Sequence, residues 1–491
     1  MAEPHFSLTA LDLAVLALYL TACVAIGLLV GRGQKNLADY AVGGRNLPWW
    51  AVLGSIIATE TSSVTFLSIP GIGYADDLRY LQLPIGYCLG RLLIVAFFLP
   101  LYFRGNLLSA YEVLSQRFGG PVRKAAALLF LVMRTLADGL RLYLTAIIVQ
   151  RVTGLPLNGS ILAVGSVTVG YTLFGGMKSV VWTDCLQLIV YLAGALLAGW
   201  LMIGEIPGGW DEFVAFGSTN QKFRIFDLRF DLKAPYTLWA GLLGGIFLSM
   251  ATHGADQLMV QRYLCARSQR AAGWALGISG ALIFAQFALF LLIGVGLACF
   301  YHHFPPTHAF AKNDQVFATF IVERLPPGVV GLTIAAVVAA AMSTLSSSLN
   351  SSASTLLNDI YLPLARREVS PGKQLWLGRI LSALFGAAQI GVGIVGQELS
   401  DSVVENVMKI SGITTGVVLG VFFLGMLSRR ATQRGALVGL FGGLGVVIVV
   451  AYRTPLAWTW YTVLGTTATF GIGFGVTHAG AIWEKLDWHQ Q

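Results

Sequence analysis

Charge is what this chain of 491 residues has least of. Asp, Glu, Lys and Arg together make up 11%, against about 25% in an ordinary soluble domain, while 56% of the residues are hydrophobic. A soluble fold of this length needs a charged surface that this sequence cannot supply. Disorder is excluded for the opposite reason, because disordered segments are poor in apolar residues. Cysteine is scarce too. Cys23, Cys88, Cys185, Cys265 and Cys299 mostly fall inside apolar runs and show no Cys-x-x-Cys spacing, which argues against a disulfide framework or a zinc site. No Lys or Arg precedes the first apolar run, near 8–30, and Arg32, Lys35 and Arg45 follow it. That run is too long for a cleavable leader, and the charge pattern predicts a retained first span with its N-terminus outside.

What the sequence does have is long apolar segments. A helix needs about 20 such residues to cross a bilayer. Runs of that kind lie near 8–31, 48–75, 80–103, 122–150, 156–175, 179–204, 236–261, 271–301, 315–359, 374–397, 403–427, 434–452 and 456–482. The expected fold is therefore all-α: a polytopic membrane protein of about 13 transmembrane helices in a single transmembrane domain over residues 1–491. The run at 315–359 is too long for one straight span and predicts a capping segment or an extension beyond the bilayer. With the N-terminus outside, most Lys and Arg fall in inner loops, among them Arg104, Arg117, Arg262, Arg267, Arg429 and Arg430. That bias places the C-terminus in the cytoplasm and the chain in the plasma membrane. It also accounts for the net charge of +8 through the lipid bilayer, with no nucleic acid as partner.

Two spans are interrupted alike. The second reads SIIATETSSVTFLSIPGIGY from Ser55 to Tyr74, with a polar middle followed by Pro70, Gly71 and Gly73. The seventh reads GGIFLSMATHGADQLMV from Gly244 to Val260, polar around Thr252 to Gln257. Five spans separate them, so they cross in opposite directions. Paired interrupted helices in corresponding halves point to a transporter with an inverted repeat, because broken backbone at membrane depth persists only where it lines a cavity or is buried. The alternative is two kinked packing helices.

The ninth span carries MSTLSSSLNSSAST. Ser343, Ser347, Asn350, Ser351 and Ser354 share one helical face. Hydroxyls can be packing glue between membrane helices, but such a wall of oxygens also suits a hard monovalent cation. Glu60, Asp184 and Asp256 lie at or near membrane depth, where an ionisable group is a functional candidate by default. Asp184 could instead cap a helix at the interface, Glu60 could be a salt-bridge partner, and Asp256 near Arg262 fits a structural role. Arg134, Asp138 and Arg141 are spaced for mutual pairing, or for leaving one Arg to meet an anion. Lys409 either snorkels to the interface or faces an anionic solute. His253 fits a hydrogen-bonded helix residue better than a ligand.

At these residues the sequence resembles the sodium:solute symporter family. The segments that carry the resemblance are ADYAVGGRNLPWW (38–50), ATETSSVTFLSIPG (58–71), SAYEVLSQRFG (109–119), GGMKSVVWTD (175–184), VQRYL (260–264), AAAMSTLSSSLNSSASTLLNDIY (339–361) and GVVLGVFFLGML (416–427). The resemblance implies a LeuT-like fold of two inverted five-helix repeats, about 48–204 and 236–427, with flanking helices at about 8–31, 434–452 and 456–482. It implies a sodium ion held by carbonyls of Ala58, Thr61 and Ala340 and by hydroxyls of Ser343 and Thr344. A second sodium, found in some members, would take Asp184, Ser346 and Ser347 and share Ser343. Solute positions implied by one branch are Glu60, Ser62 and Thr65; Ser249 and Thr252 stand where sugar carriers have an Asn and an aromatic gate. Arg141 and Lys409 complete the candidate solute contacts. The expected activity is import of a small-molecule solute with sodium by alternating access, by a chain acting as a monomer and not as an enzyme. Two other classes stay open: proton coupling through Glu60, and a membrane enzyme or sensor, for which His253 and Asp256 would be the acid–base pair.

Overall fold

The computed structural model describes residues 8–105, 107–306, 310, 312–365, 367–398 and 403–488. Among the described residues the fold is helical, with a single parallel bridge between Leu47 and Ala266. The main helices are α1 (Ala10–Val30), α2 (Trp49–Glu60), α3 (Ser63–Ala75), α4 (Leu78–Tyr102), α5 (Gly120–Thr153), α6 (Leu157–Glu205) and α7 (Ala240–Ala255). They continue with α8 (Gln257–Leu264), α9 (Gln269–His303), α10 (Val329–Leu364), α11 (Pro371–Val395), α12 (Val403–Leu427), α13 (Gln433–Arg453) and α14 (Tyr461–Trp488). Among the described residues seven are long and apolar enough to cross a membrane alone, and the bent pair α2–α3, taken as one span, makes an eighth.

Length explains two departures from that number. A straight helix of 49 residues would run about 74 Å, more than twice a bilayer core of about 30 Å. The chain instead folds back within α6 at Gly176, whose φ of 58° and ψ of −170° lie outside the helical region. Only a residue without a Cβ takes this backbone cheaply, so α6 holds what the sequence shows as two apolar runs. The over-long run at 315–359 resolves the other way. It splits into a short helix, Asp314–Arg324, and α10, separated by a turn through Gly328.

The bundle is organised around α10. In its most apolar stretch 89% of residues are buried, against 17% in α1, so α10 is the central rod and α1 lies at the rim. The side chain of Asp12 ties the two together by accepting from the backbone N–H groups of Gly328 (2.7 Å) and Gly331 (2.8 Å) at the start of α10. The outward faces carry large apolar side chains such as Leu18, Trp200, Leu384 and Phe441, as lipid contact requires. The helix α3 packs on α9 at backbone distance. A Cβ added to Gly294 would land on the carbonyl oxygen of Pro70 and the Cα of Gly73. Gly294→Ala is therefore expected to destabilise the fold by about 1–3 kcal/mol, the usual range for overpacking, seen as a lower unfolding temperature in detergent. An unchanged temperature would show that the two helices can separate freely.

Candidate functional site

The first interruption lies in the polar middle of the second span, ahead of Pro70, Gly71 and Gly73. Pro70 is accommodated inside α3, and the break falls at Thr61 and Ser62, both extended, with a bend of 60°. Ser62 caps α3, its hydroxyl accepting from Thr65 N at 3.4 Å. A helix that stops at Glu60 leaves its last carbonyls without intrahelical donors; Ile57 O takes Thr61 N, and the next carbonyls are free to face other groups. The second interruption is at Asp256, where extended backbone separates α7 from α8. Asp256 caps α8 through Leu258 N (2.8 Å).

Between the first break and α10 a group of oxygens converges. Thr344 Oγ1 lies 3.3 Å from Thr59 O and 3.4 Å from Ala340 O, and Ser343 Oγ lies 3.4 Å from Thr59 Oγ1. Hydroxyl hydrogen bonds usually sit at about 2.7–2.8 Å. Two oxygens at right angles on a cation bound at about 2.4 Å are about 3.4 Å apart, which is the spacing seen here. Of the expected carbonyls, that of Ala340 is in this group, and the carbonyl of Thr59, which the sequence reading did not name, lies there too. The Thr61 hydroxyl turns away, accepting from Gln286 Nε2 (2.5 Å) and Tyr191 OH (3.1 Å) and donating to Ile57 O (3.0 Å), so Thr61 can offer the cation only its carbonyl.

The expected second cation position is filled differently. Asp184 is fully buried well inside α6, not at an interfacial helix end. Its carboxylate accepts from Ser343 Oγ (2.6 Å) and Ser55 Oγ (2.5 Å). The guanidinium of Arg262 sits in the same nest, 3.3 Å from Asp184 Oδ2 and 2.9 Å from Ser55 Oγ, and bonded to the hydroxyls of Thr59 and Ser347. Arg262 is thus fully buried, which corrects its assignment to an inner loop. Ser346 is not brought to this carboxylate; its hydroxyl bonds to Ser343 O at 3.2 Å within α10. The serine face is real and meets α8: Gln261 Nε2 donates to Asn350 Oδ1 (2.9 Å) and Ser354 Oγ (3.4 Å), next to the Arg262–Ser347 bond.

Glu60, on the other side of the break, is ion-paired to the fully buried Arg91 of α4. Arg91 also donates to Ser279 Oγ at 2.6 Å. His253 Nε2 lies 3.5 Å from the Glu60 carboxylate, and its Nδ1 bonds Tyr263 OH at 2.9 Å. His253 and Asp256 therefore do not form an acid–base pair: Asp256 is taken by Arg134 at 2.5 Å. Arg134 also lies 3.8 Å from Asp138, and Arg141 is paired to Asp138. Two arginines face two carboxylates, and no Arg of the group is left over. Ser249 Oγ donates to Tyr87 O (3.2 Å) and Thr252 Oγ1 to Leu248 O (2.8 Å), so neither hydroxyl proton is free. The side chain of Lys409 lies outside the described residues. Beside the second break a narrow cleft, with room for little more than one water molecule, is lined by Tyr111, Phe130, Met133, Ala255, Asp256 and Thr415.

Arg91 and Arg262 are the residues that sequence reasoning passed over. Both had a signal. Arg91 stands alone in an apolar run, YCLGRLLIV, and Arg262 lies in the VQRYL segment.

The sequence pattern of the sodium:solute symporter family matches residues 40–443. The chain belongs to that family. It is similar to the human sodium/iodide cotransporter, 32% identical over 91% of this chain and 70% of the relative. The sodium/sialic acid symporter SiaT of Proteus mirabilis (strain HI4320) is 29% identical over 93% of this chain and 92% of the relative. A solved outward-open structure of a Na⁺-coupled sialic acid symporter superposes with a TM-score of 0.89 over 96% of this chain and 98% of that one, at 28% identity. The nucleobase-cation-symport-1 transporter Mhp1, at 15% identity and a TM-score of 0.60 over 90% of this chain and 94% of that one, shares the fold alone. The symporter accordingly has the LeuT-like fold and couples solute transport to sodium; it is not an enzyme, and proton coupling through Glu60 finds no support.

Proposed function

We propose that the symporter imports a small organic anion, a carboxylate, together with sodium held between the α2–α3 break and α10. The carrying observation is the neutralisation of Glu60 by Arg91. It removes the one carboxylate that would repel an anion at the break. What then faces the solute is the N-terminus of α3, with the hydroxyls of Ser62 and Thr65. Half-helix N-termini favour anionic groups in this class of transporter. The similar proteins named for iodide and sialic acid carry anions as well.

Sodium links the two halves of the cycle. Bound to the carbonyls of Ala58, Thr61 and Ala340, with that of Thr59 beside them, and to the hydroxyls of Ser343 and Thr344, it joins the broken span to the central rod and fixes the break in its solute-binding shape. Solute then completes the site, the halves rock, and sodium is lost by dilution inside. In this reading the N-terminus is outside and the C-terminus cytoplasmic, the thirteen spans form repeats over about 48–204 and 236–427, and one chain in the lipid bilayer suffices.

Thermal unfolding of the purified chain tests the solute class. A ligand that binds only the folded state raises its stability. Short monocarboxylates are expected to stabilise the protein only when sodium is present, and their carboxamides, of the same shape without the charge, are not. Equal stabilisation by carboxamides would overturn the anion reading. Stabilisation by amino acids alone would mean that Glu60 receives an ammonium group instead.

Arg91→Gln separates recognition from structure. Alone it leaves Glu60 buried without a counter-charge, and loss of uptake by more than about tenfold is expected. Glu60→Gln added to it relieves that charge and is expected to restore the unfolding temperature and recover uptake. Uptake still absent from the stable double variant would show that the pair contacts the solute directly.

A further inference from the structure

At the end of α9, away from both breaks, three side chains of metal-binding chemistry converge. Cys299 and His303 lie four residues apart on one face of α9, and Glu212 reaches them from the short helix Gly209–Thr219. The thiol of Cys299, a ring nitrogen of His303 and a carboxylate oxygen of Glu212 all lie within 4.8 Å of one another. His303 Nε2 donates to Glu212 Oε1 at 3.1 Å. We propose that Glu212, Cys299 and His303 form a binding site for a transition-metal ion, zinc in the first place, that ties the loop between the two repeats to α9.

Thiolate, imidazole and carboxylate are the three ligand types that protein zinc sites use. An i, i+4 pair on a helix is a natural chelate, because the two side chains sit one above the other. Ligands on one tetrahedral zinc ion, at about 2.0–2.3 Å from it, are about 3.3–3.6 Å apart. The Glu212–His303 pair is already that close, and no other pair has to shorten by more than about 1.5 Å, a matter of side-chain rotation. Access and floor also fit. Glu212 and His303 are 35% and 28% exposed, whereas Cys299 is fully buried beneath them, so an ion enters from the surface and keeps its fourth position for water. His302 packs against Phe216, with ring centres 5.4 Å apart and planes tilted by 43°, and is not needed as a ligand. Binding releases one proton, from the Cys299 thiol, and moves the His303 proton from Nε2 to Nδ1. The expectation of no zinc site rested on paired cysteines; the signal here is a single Cys with a His one turn later. On the proposed topology the site faces outside, where an ion bridging the loop to α9 would resist the rocking of the halves.

The test uses the full-length chain in detergent and metal-free buffer, where Cys299→Ser, Glu212→Gln and His303→Ala are each expected to retain sodium-driven uptake once reconstituted. Zinc is expected to bind the unmodified chain at one ion per chain, and each variant at least tenfold more weakly. Cobalt in place of zinc should show a thiolate-to-cobalt charge-transfer band that Cys299→Ser lacks. Zinc should also slow uptake by the unmodified protein and not by Cys299→Ser. Zinc affinity unchanged in the three variants, a cobalt spectrum without the sulfur band, or equal slowing of both proteins would each overturn the site.

Discussion

Thr344→Val should abolish sodium-driven uptake at ordinary sodium concentrations while leaving the fold intact. Valine keeps the shape of threonine and loses only the oxygen. That oxygen lies between the carbonyls of Thr59 and Ala340 at 3.3 and 3.4 Å, where it bridges the broken span and the central rod. A bond to a charged group is worth about 1.5–3 kcal/mol, so losing it should weaken sodium binding by about 10- to 150-fold. Thr344→Ser keeps the oxygen and should keep the coupling. Ser343→Ala should be more severe, because Ser343 Oγ touches both Thr59 Oγ1 and Asp184 Oδ1 and thus serves both candidate cation positions. Uptake by proteoliposomes over a range of external sodium checks this. A half-saturating sodium concentration that is the same in Thr344→Val and the unmodified chain would remove the cation from this place.

Much of this was visible in the sequence, and the parts that were not share a cause. The spans show because lipid demands apolar residues in lengths of about 20, and the two broken spans show because polar, interrupted backbone at that depth persists only where it lines a cavity or is buried in protein. The serine face of α10 follows from helical spacing alone. Span-by-span reading fails where a side chain crosses between helices. Arg262 reads as an inner-loop charge, yet the break at Asp256 starts a new helix whose direction carries it into the core beside Asp184. An interfacial place for Asp184 stays open in the sequence because the residue lies near the start of the run at 179–204, and only the bonds from Ser55 and Ser343 of other helices show it in the core. The second span shows a polar middle followed by Pro70, Gly71 and Gly73; the chain parts at Thr61 and Ser62 in that middle, and the Pro-Gly residues, whose part the sequence does not show, let α3 approach α9. In each case the deciding contact is between residues more than 70 positions apart or depends on one backbone angle.

The strongest double effect is expected at Asp184 and Arg262. Both are fully buried, and removing one partner of such a pair costs about 3–5 kcal/mol because the other is left uncompensated. Asp184→Asn should therefore lower the unfolding temperature sharply and cut uptake by more than about tenfold, leaving a small residual transport. Arg262→Gln should lower it as well, with one difference: the carboxylate it leaves behind is ringed by the hydroxyls of Ser55, Thr59 and Ser343, a nest that fits sodium. Added sodium should then rescue Arg262→Gln and not Asp184→Asn. The double variant should recover most of the stability and still fail to transport. If sodium and the guanidinium alternate on Asp184, a second sodium enters only when α8 withdraws Arg262 from α10. Entry of that ion and release of the contact between the two helices are then one event. The energetic consequence is large for an anionic solute. A tenfold sodium gradient is worth about 1.4 kcal/mol, and 100 mV adds about 2.3 per net charge. One sodium with a monovalent anion moves no net charge and supports about tenfold accumulation, whereas two sodium ions support about 5,000-fold. A Hill slope for sodium above one that falls to one in Asp184→Asn membranes with residual transport would establish the second ion. Destabilisations by the two single substitutions that simply add in the double variant would show that Asp184 and Arg262 are not coupled, and the alternation would have no basis.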